Sequence, residues 1–171
     1  MPYENQKKRF AAAGILMAAA VTGMIGGISR SGSTSASAAA RVSDSEASFI
    51  RTYNAQGEYQ TKPAGTGNVY QIHGVRAVVT AAGGRQTVEL YLKQAADDSR
   101  MYPVYRDMVQ TMDSSVTDRQ ARQAYAELKS ADYQNSINRP AVVAGKTSAT
   151  YTVKEHKNGT VTCALTIFQM N

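Results

Sequence analysis

The chain has 171 residues, 43% of them hydrophobic, with 19 Lys and Arg against 13 Asp and Glu, two His, one Cys and no Trp. The single Cys163 excludes an intrachain disulfide, and His73 and His156 are too far apart for a Cys/His zinc cluster or an H-E-x-x-H helix. Of the formal +6 charge, half lies in the first 40 residues; the cations that remain are scattered without an adjacent run, so neither a nucleic-acid surface nor a basic membrane-binding stripe is expected.

The first segment reads as an export signal. Lys7, Lys8 and Arg9 precede nineteen uncharged residues, Phe10 to Ile28, and a small-residue zone follows from Ser31 to Ala40. This is the n-region, h-region and cleavage zone of a secretory leader, with Ala36-Ser37-Ala38 or Ala38-Ala39-Ala40 as the cut. The run is also close to the ~20 residues that span a bilayer, so residues 10–28 retained as a single anchor are the alternative. Either way residues 41–171 are expected outside the cytosol as one domain, following a leader and tether over residues 1–40. The alanine-rich leader has bacterial character.

Within that domain Ser43 and Glu46 have capping-box spacing, and Phe49, Ile50 and Tyr53 share a helical face, which predicts a helix over residues 44–55 ended by Gly57. Residues 57–67 read as loop. Val69 to Lys93 reads as a β-hairpin around Gly83-Gly84. A two-residue turn there pairs Val79 with Val88, Ala77 with Leu90 and Val75 with Leu92 on one apolar face, and Thr80 with Thr87 and Arg76 with Tyr91 on the other. Tyr70 and Ile72 have the wrong parity for the apolar face, and a bulge at Gly74 is expected to restore it.

Two helices follow. Pro103 suits a first turn, and Val104, Tyr105, Met108, Val109 and Met112 repeat with helical period. Asp113-Ser114-Ser115 ends that run. Thr117 and Gln120 form a second capping box before a narrow stripe of Ala121, Ala124, Tyr125 and Leu128. Residues 132–148 read as irregular, with a short strand at Ala141–Ala144. Thr150–Glu155 and Thr160–Gln169 then alternate as a second hairpin. A three-residue loop, Lys157-Asn158-Gly159, pairs Val153 with Cys163 and Tyr151 with Leu165, collecting the apolar side chains on one face. The fold class expected is therefore α+β: an antiparallel sheet of four or five strands built from two hairpins, with about three helices on one face.

No catalytic, cofactor-binding or metal-binding residue is assigned, and no cofactor is expected. Cys163 lies mid-strand between Val161 and Leu165 and reads as a buried core thiol. Asp97-Asp98 fits helix capping better than acid/base chemistry. Gly83-Gly84-Arg85 is followed by a strand, which suits a turn and not a phosphate cradle. Tyrosine is the compositional oddity, ten against three Phe. Tyr91 beside Arg76 on the outer hairpin face, with His73 nearby at the strand kink, forms the candidate interaction patch. The expected function is an exported, non-enzymatic binding or assembly module at the cell surface or in the periplasm. Its partner would be a protein, a glycan or another cell-envelope component, not a nucleic acid, and it would meet a membrane only through residues 10–28. The alternatives are an extracytoplasmic hydrolase and a membrane-tethered subunit of an envelope complex.

Overall fold

The computed structural model of the chain describes residues 43–94, 99–156 and 160–171. The export segment, Asp97-Asp98 and the loop Lys157-Asn158-Gly159 lie outside the described residues. None of the described helices is long and apolar enough to cross a membrane.

The fold is α+β. Its elements in chain order are α1 (Asp44–Gln56), β1 (Lys62–Pro63), β2 (Val69–Ile72), β3 (Val75–Ala82), β4 (Arg85–Gln94), α2 (Met101–Met112), α3 (Asp118–Leu128), α4 (Ala131–Asn135), β5 (Val142–Ala144), β6 (Thr147–Glu155) and β7 (Val161–Gln169). The seven strands form one antiparallel sheet in the order β1-β2-β3-β4-β7-β6-β5, and the helices pack against it. The two strands beyond the five expected are the short segments β1 and β2, which extend the first hairpin outward, while β5 falls where a short strand was expected at Ala141–Ala144.

Both capping boxes form. The Ser43 hydroxyl accepts the Glu46 N–H at 3.2 Å while Glu46 accepts the Ser43 N–H at 2.9 Å, and Thr117 and Gln120 repeat the exchange at the start of α3. These contacts satisfy amides that an uncapped helix start would leave open. The stripe on α3 buries Ala121, Ala124, Tyr125 and Leu128, as its periodicity predicts.

The β3–β4 register pairs Val79 with Val88, Ala77 with Leu90 and Arg76 with Tyr91. Gly83 and Gly84 take φ of 59° and 77°, the two positive values that a type I′ turn requires. The bulge expected at Gly74 is corrected. His73 (φ 48°) and Gly74 (φ 83°) form a second tight turn that reverses the chain, so β2 pairs antiparallel with β3 and sets Ile72 opposite Val75 and Tyr70 opposite Ala77. A reversal shifts side-chain parity just as a bulge does, which is why Tyr70 and Ile72 still reach the core. The loop expected at 57–67 also contains the edge strand β1, where Pro63 costs no ladder hydrogen bond on its outer side.

The stretch expected to be irregular at 132–148 holds most of α4 as well as the expected short strand, β5. Ser130 caps α4, and the buried Tyr133 hydroxyl accepts the Tyr151 N–H at 3.2 Å, covering β6 where the short β5 no longer reaches it. The β6–β7 register pairs Val153 with Cys163 and Tyr151 with Leu165, as the three-residue loop demands. His156 N–H donates to Thr160 C=O at 2.8 Å on either side of that loop.

The two hairpins join through β4 and β7, from Thr87–Phe168 to Gln94–Val161. This central ladder assembles one apolar face from both halves of the chain. Val79, Val88, Leu90, Leu165 and Ile167 are fully buried there beneath Tyr53, Val104, Met108 and Leu128 of the helices. Each such side chain contributes about 1.5–3 kcal/mol on leaving water.

Candidate interaction face

Strand geometry sends alternate side chains to opposite sides, so an apolar face of this extent creates a second face of equal area. The helices occupy only the first. The rows of the outer face follow from the registers. One runs Lys62–Gln71–Arg76–Tyr91–Ala164–Thr152 across six strands. Beside it run Lys93–Thr162–Lys154 toward one end of the sheet and Val69–Val78–Glu89–Thr166–Thr150 toward the other. Every one of these side chains is exposed or half-buried. Among the described residues, no element covers this face.

Arg76 and Tyr91 come together as their register implies. The guanidinium carbon lies 5.7 Å from the centre of the Tyr91 ring, within reach of a cation–π contact. The Tyr91 hydroxyl donates to Glu89 Oε2 at 2.6 Å. That hydrogen bond, with burial second, pushes the phenol up to about 12. The ring is therefore held from two sides in the fourth of seven strands.

His73 does not join this pair. It stacks on Tyr59, with ring centres 3.8 Å apart and planes 18° from parallel. Tyr59 belongs to a different network, where the chain leaves α1. Glu58 Oε2 accepts from Arg106 at 2.9 Å, and Arg106 also donates to Asp107 Oδ1 at 2.8 Å. The Glu58 carboxyl is held below its usual value by hydrogen bonds from Arg106 and then Tyr59. Burial opposes the Arg106 charge, but hydrogen bonds to Asp107 and Glu58 outweigh it and raise the guanidinium further.

Cys163 points to the helix side of the sheet, as its parity requires, but it is only half-buried and not fully so. The reason is its place near the end of the sheet, opposite Val153, which is itself 41% exposed. The helices do not extend that far. His156, the nearer histidine in sequence, bonds Thr162 Oγ1 at 2.8 Å.

The clefts differ in size, and one of about 380 Å³ is lined by Glu127, Ser130, Asp132, Tyr133, Ser136 and Pro140. Another of about 230 Å³ is lined by Gln56, Asp107, Gln110, Ser114 and Val116. Asp107 is its one carboxylate, and both oxygens are committed, Oδ1 to Arg106 and Oδ2 to the Glu58 N–H at 2.7 Å. Among the described residues no three His, Cys, Asp or Glu side chains converge as a metal site would need. Asp107 is a residue that sequence reasoning missed. Its signal was a charge on the apolar face of α2, one position before Met108 and three after Val104.

No protein-family model, curated protein or solved structure matches this chain.

Proposed function

We propose that this protein is an exported, non-enzymatic binding or assembly module that works outside the cytosol through the outer face of its sheet. One observation carries the reading: four helices cover one side of a seven-stranded sheet, while the other side presents a pinned Arg76–Tyr91 pair with no described element over it. Sheet faces left open in this way serve as recognition surfaces when polar and aromatic side chains are fixed on them, because little order is then lost on binding. The leader at residues 7–40 supplies the route out of the cytosol. A hydrolase reading gains nothing at the cleft of Asp107, where both carboxylate oxygens are engaged, and would have to be tested at the larger cleft lined by Glu127, Ser130, Asp132 and Ser136.

The test is retention of cell-envelope material by the immobilised full chain. Wild type and Arg119→Ala, on the exposed side of α3, should retain the same material. The Arg76→Ala/Tyr91→Ala double variant should lose it. Equal retention by all three chains would refute the use of this face.

A further inference from the structure

Charge is segregated in this domain in a way that the linear sequence hides. The outer face carries Lys62, Arg76, Arg85, Lys93 and Lys154 against one carboxylate, Glu89. The other described residues carry eight Lys and Arg against nine Asp and Glu. Glu89 is itself engaged by the Tyr91 hydroxyl. Four of the five cations fall in two adjacent rows: Lys62 and Arg76 in the row of Tyr91, Lys93 and Lys154 in the next. All four are exposed.

Sheet stability accounts for only part of this band. Lysine on an edge strand guards against unwanted pairing, which explains Lys62. Lys154, beyond the reach of β5, is likewise on an open edge, and Lys93 is paired only with β7, whereas Arg76 is paired on both sides. Lysine is disfavoured in strands, and cross-strand neighbours of opposite charge are the stabilising choice. The row Lys93–Thr162–Lys154 instead places two cations two strands apart with no carboxylate between them.

The geometry points to an acidic polysaccharide lying across this basic band, an assignment that rests on the binding reading above. The spacing and chemistry of the band select that class of partner. Lys62 and Arg76 are two strands apart, as are Lys93 and Lys154, so the cations recur at roughly 10 Å along each row. A stacked nucleic-acid strand places charges about every 3.4 Å and is gripped by several aromatic platforms. This band has sparse cations and one ring, Tyr91. A protein partner would want an apolar centre with several anchors, whereas here the positions between cations are polar: Gln71 between Lys62 and Arg76, and Thr162, bonded to His156, between Lys93 and Lys154. A glycan charged on alternate sugars matches both the spacing and the lining.

The probe is a fluorescein-labelled hyaluronan oligosaccharide, which carries one carboxylate on every second sugar. It is titrated with the full chain in neutral detergent, and polarisation is read. Binding is expected, weakening as salt rises. Lys93→Ala/Lys154→Ala should weaken it by up to roughly fivefold per lysine. Arg51→Ala/Arg119→Ala removes the same charge from exposed positions on the helices and should change affinity less than twofold. Unlabelled dextran should not compete, and a twenty-nucleotide oligothymidylate should bind more weakly. Absence of hyaluronan binding, equal losses in the two double variants, or tighter binding of the oligonucleotide would each overturn the inference. If hyaluronan fails while the Arg76/Tyr91 variant still loses envelope material, the partner class falls and the open face stands. If both fail, the binding reading falls with it.

Discussion

Two glycines with the same φ in different tight turns test the packing described here. Gly83 has φ of 59° and Gly145 has φ of 58°. Alanine at Gly83, in a type I′ turn, bears the left-handed penalty of about 1 kcal/mol, and alanine at Gly145, where Lys146 lacks a positive φ as in a type II′ turn, bears at least that much. Their surroundings differ. A Cβ on Gly83 would meet nothing within 4 Å. A Cβ on Gly145 would collide with Asp113 Oδ2 and with Val116 Cγ2, the latter at 2.6 Å. Neither neighbour gives way freely: Val116 is 3% exposed, and Asp113 Oδ2 accepts the Lys146 N–H at 2.7 Å. Displacing the carboxylate forfeits a charge-assisted hydrogen bond worth about 1.5–3 kcal/mol. Gly145→Ala should thus cost at least about 2.5–4 kcal/mol, against about 1 kcal/mol for Gly83→Ala, the difference combining the contact between the α2 terminus and the β5–β6 turn with the stricter turn geometry at Gly145. Urea unfolding of the full chain in neutral detergent, followed by far-UV circular dichroism, measures both. Equal losses within 0.5 kcal/mol (about the precision of such a comparison) would mean that the turn does not press on Asp113 as described.

Two further outcomes follow from the same network. The Asp113 carboxyl lies below its ordinary value of 3.8, held first by the Ser115 hydroxyl and then by the Lys146 and Ser115 amides. A depressed carboxylate stabilises the fold fully above its unfolded pKa, and that stability is lost as pH falls through the folded value. Asp113→Asn should therefore be less stable than wild type at pH 6, with the gap closing as unfolding is repeated below about pH 3.8; a gap that stays constant with pH would refute the assignment. Asp107 is 5% exposed and holds Arg106 together with the Glu58 amide, so Asp107→Ala should cost about 3 kcal/mol by stranding both donors. A loss under 1 kcal/mol in the same urea assay would mean that water replaces the carboxylate.

The contrast between what could be read from residues and what could not has a physical basis. Hairpins and capping boxes are local: Ser43 finds Glu46 three residues on, and Val79 finds Val88 across two glycines. Such contacts are written in adjacent letters, and so was the Arg76–Tyr91 pair. The His73-Gly74 reversal was misread because a turn and a bulge impose the same change of parity on Tyr70 and Ile72. The β4–β7 ladder is different, since β4 and β7 are separated by three helices and two strands. Either hairpin could in principle pair through another edge, and nothing local chooses. Yet that ladder sets Lys93 beside Thr162 and, one strand on, Lys154, so the basic band exists only once it forms. Residues scattered from 62 to 154 looked like an ordinary solvated surface for the same reason.

The outer face also separates residues that call for a partner from those that do not. Thr80, Thr87, Thr150 and Thr166 stand on it among half-exposed positions, but threonine suits any pleated surface, and its presence is explained by strand propensity alone. Two lysines flanking one threonine, Lys93 and Lys154 on either side of Thr162 with no carboxylate between them, are not explained by propensity. They forgo packing, add repulsion and leave the apolar face unchanged. Substituting Lys93 and Lys154 with threonine should therefore hold or raise stability while weakening the binding assigned to this face. A fall in stability of more than 1 kcal/mol, larger than exposed charges usually contribute, would make the two lysines structural and remove the reason for reading the band as a site.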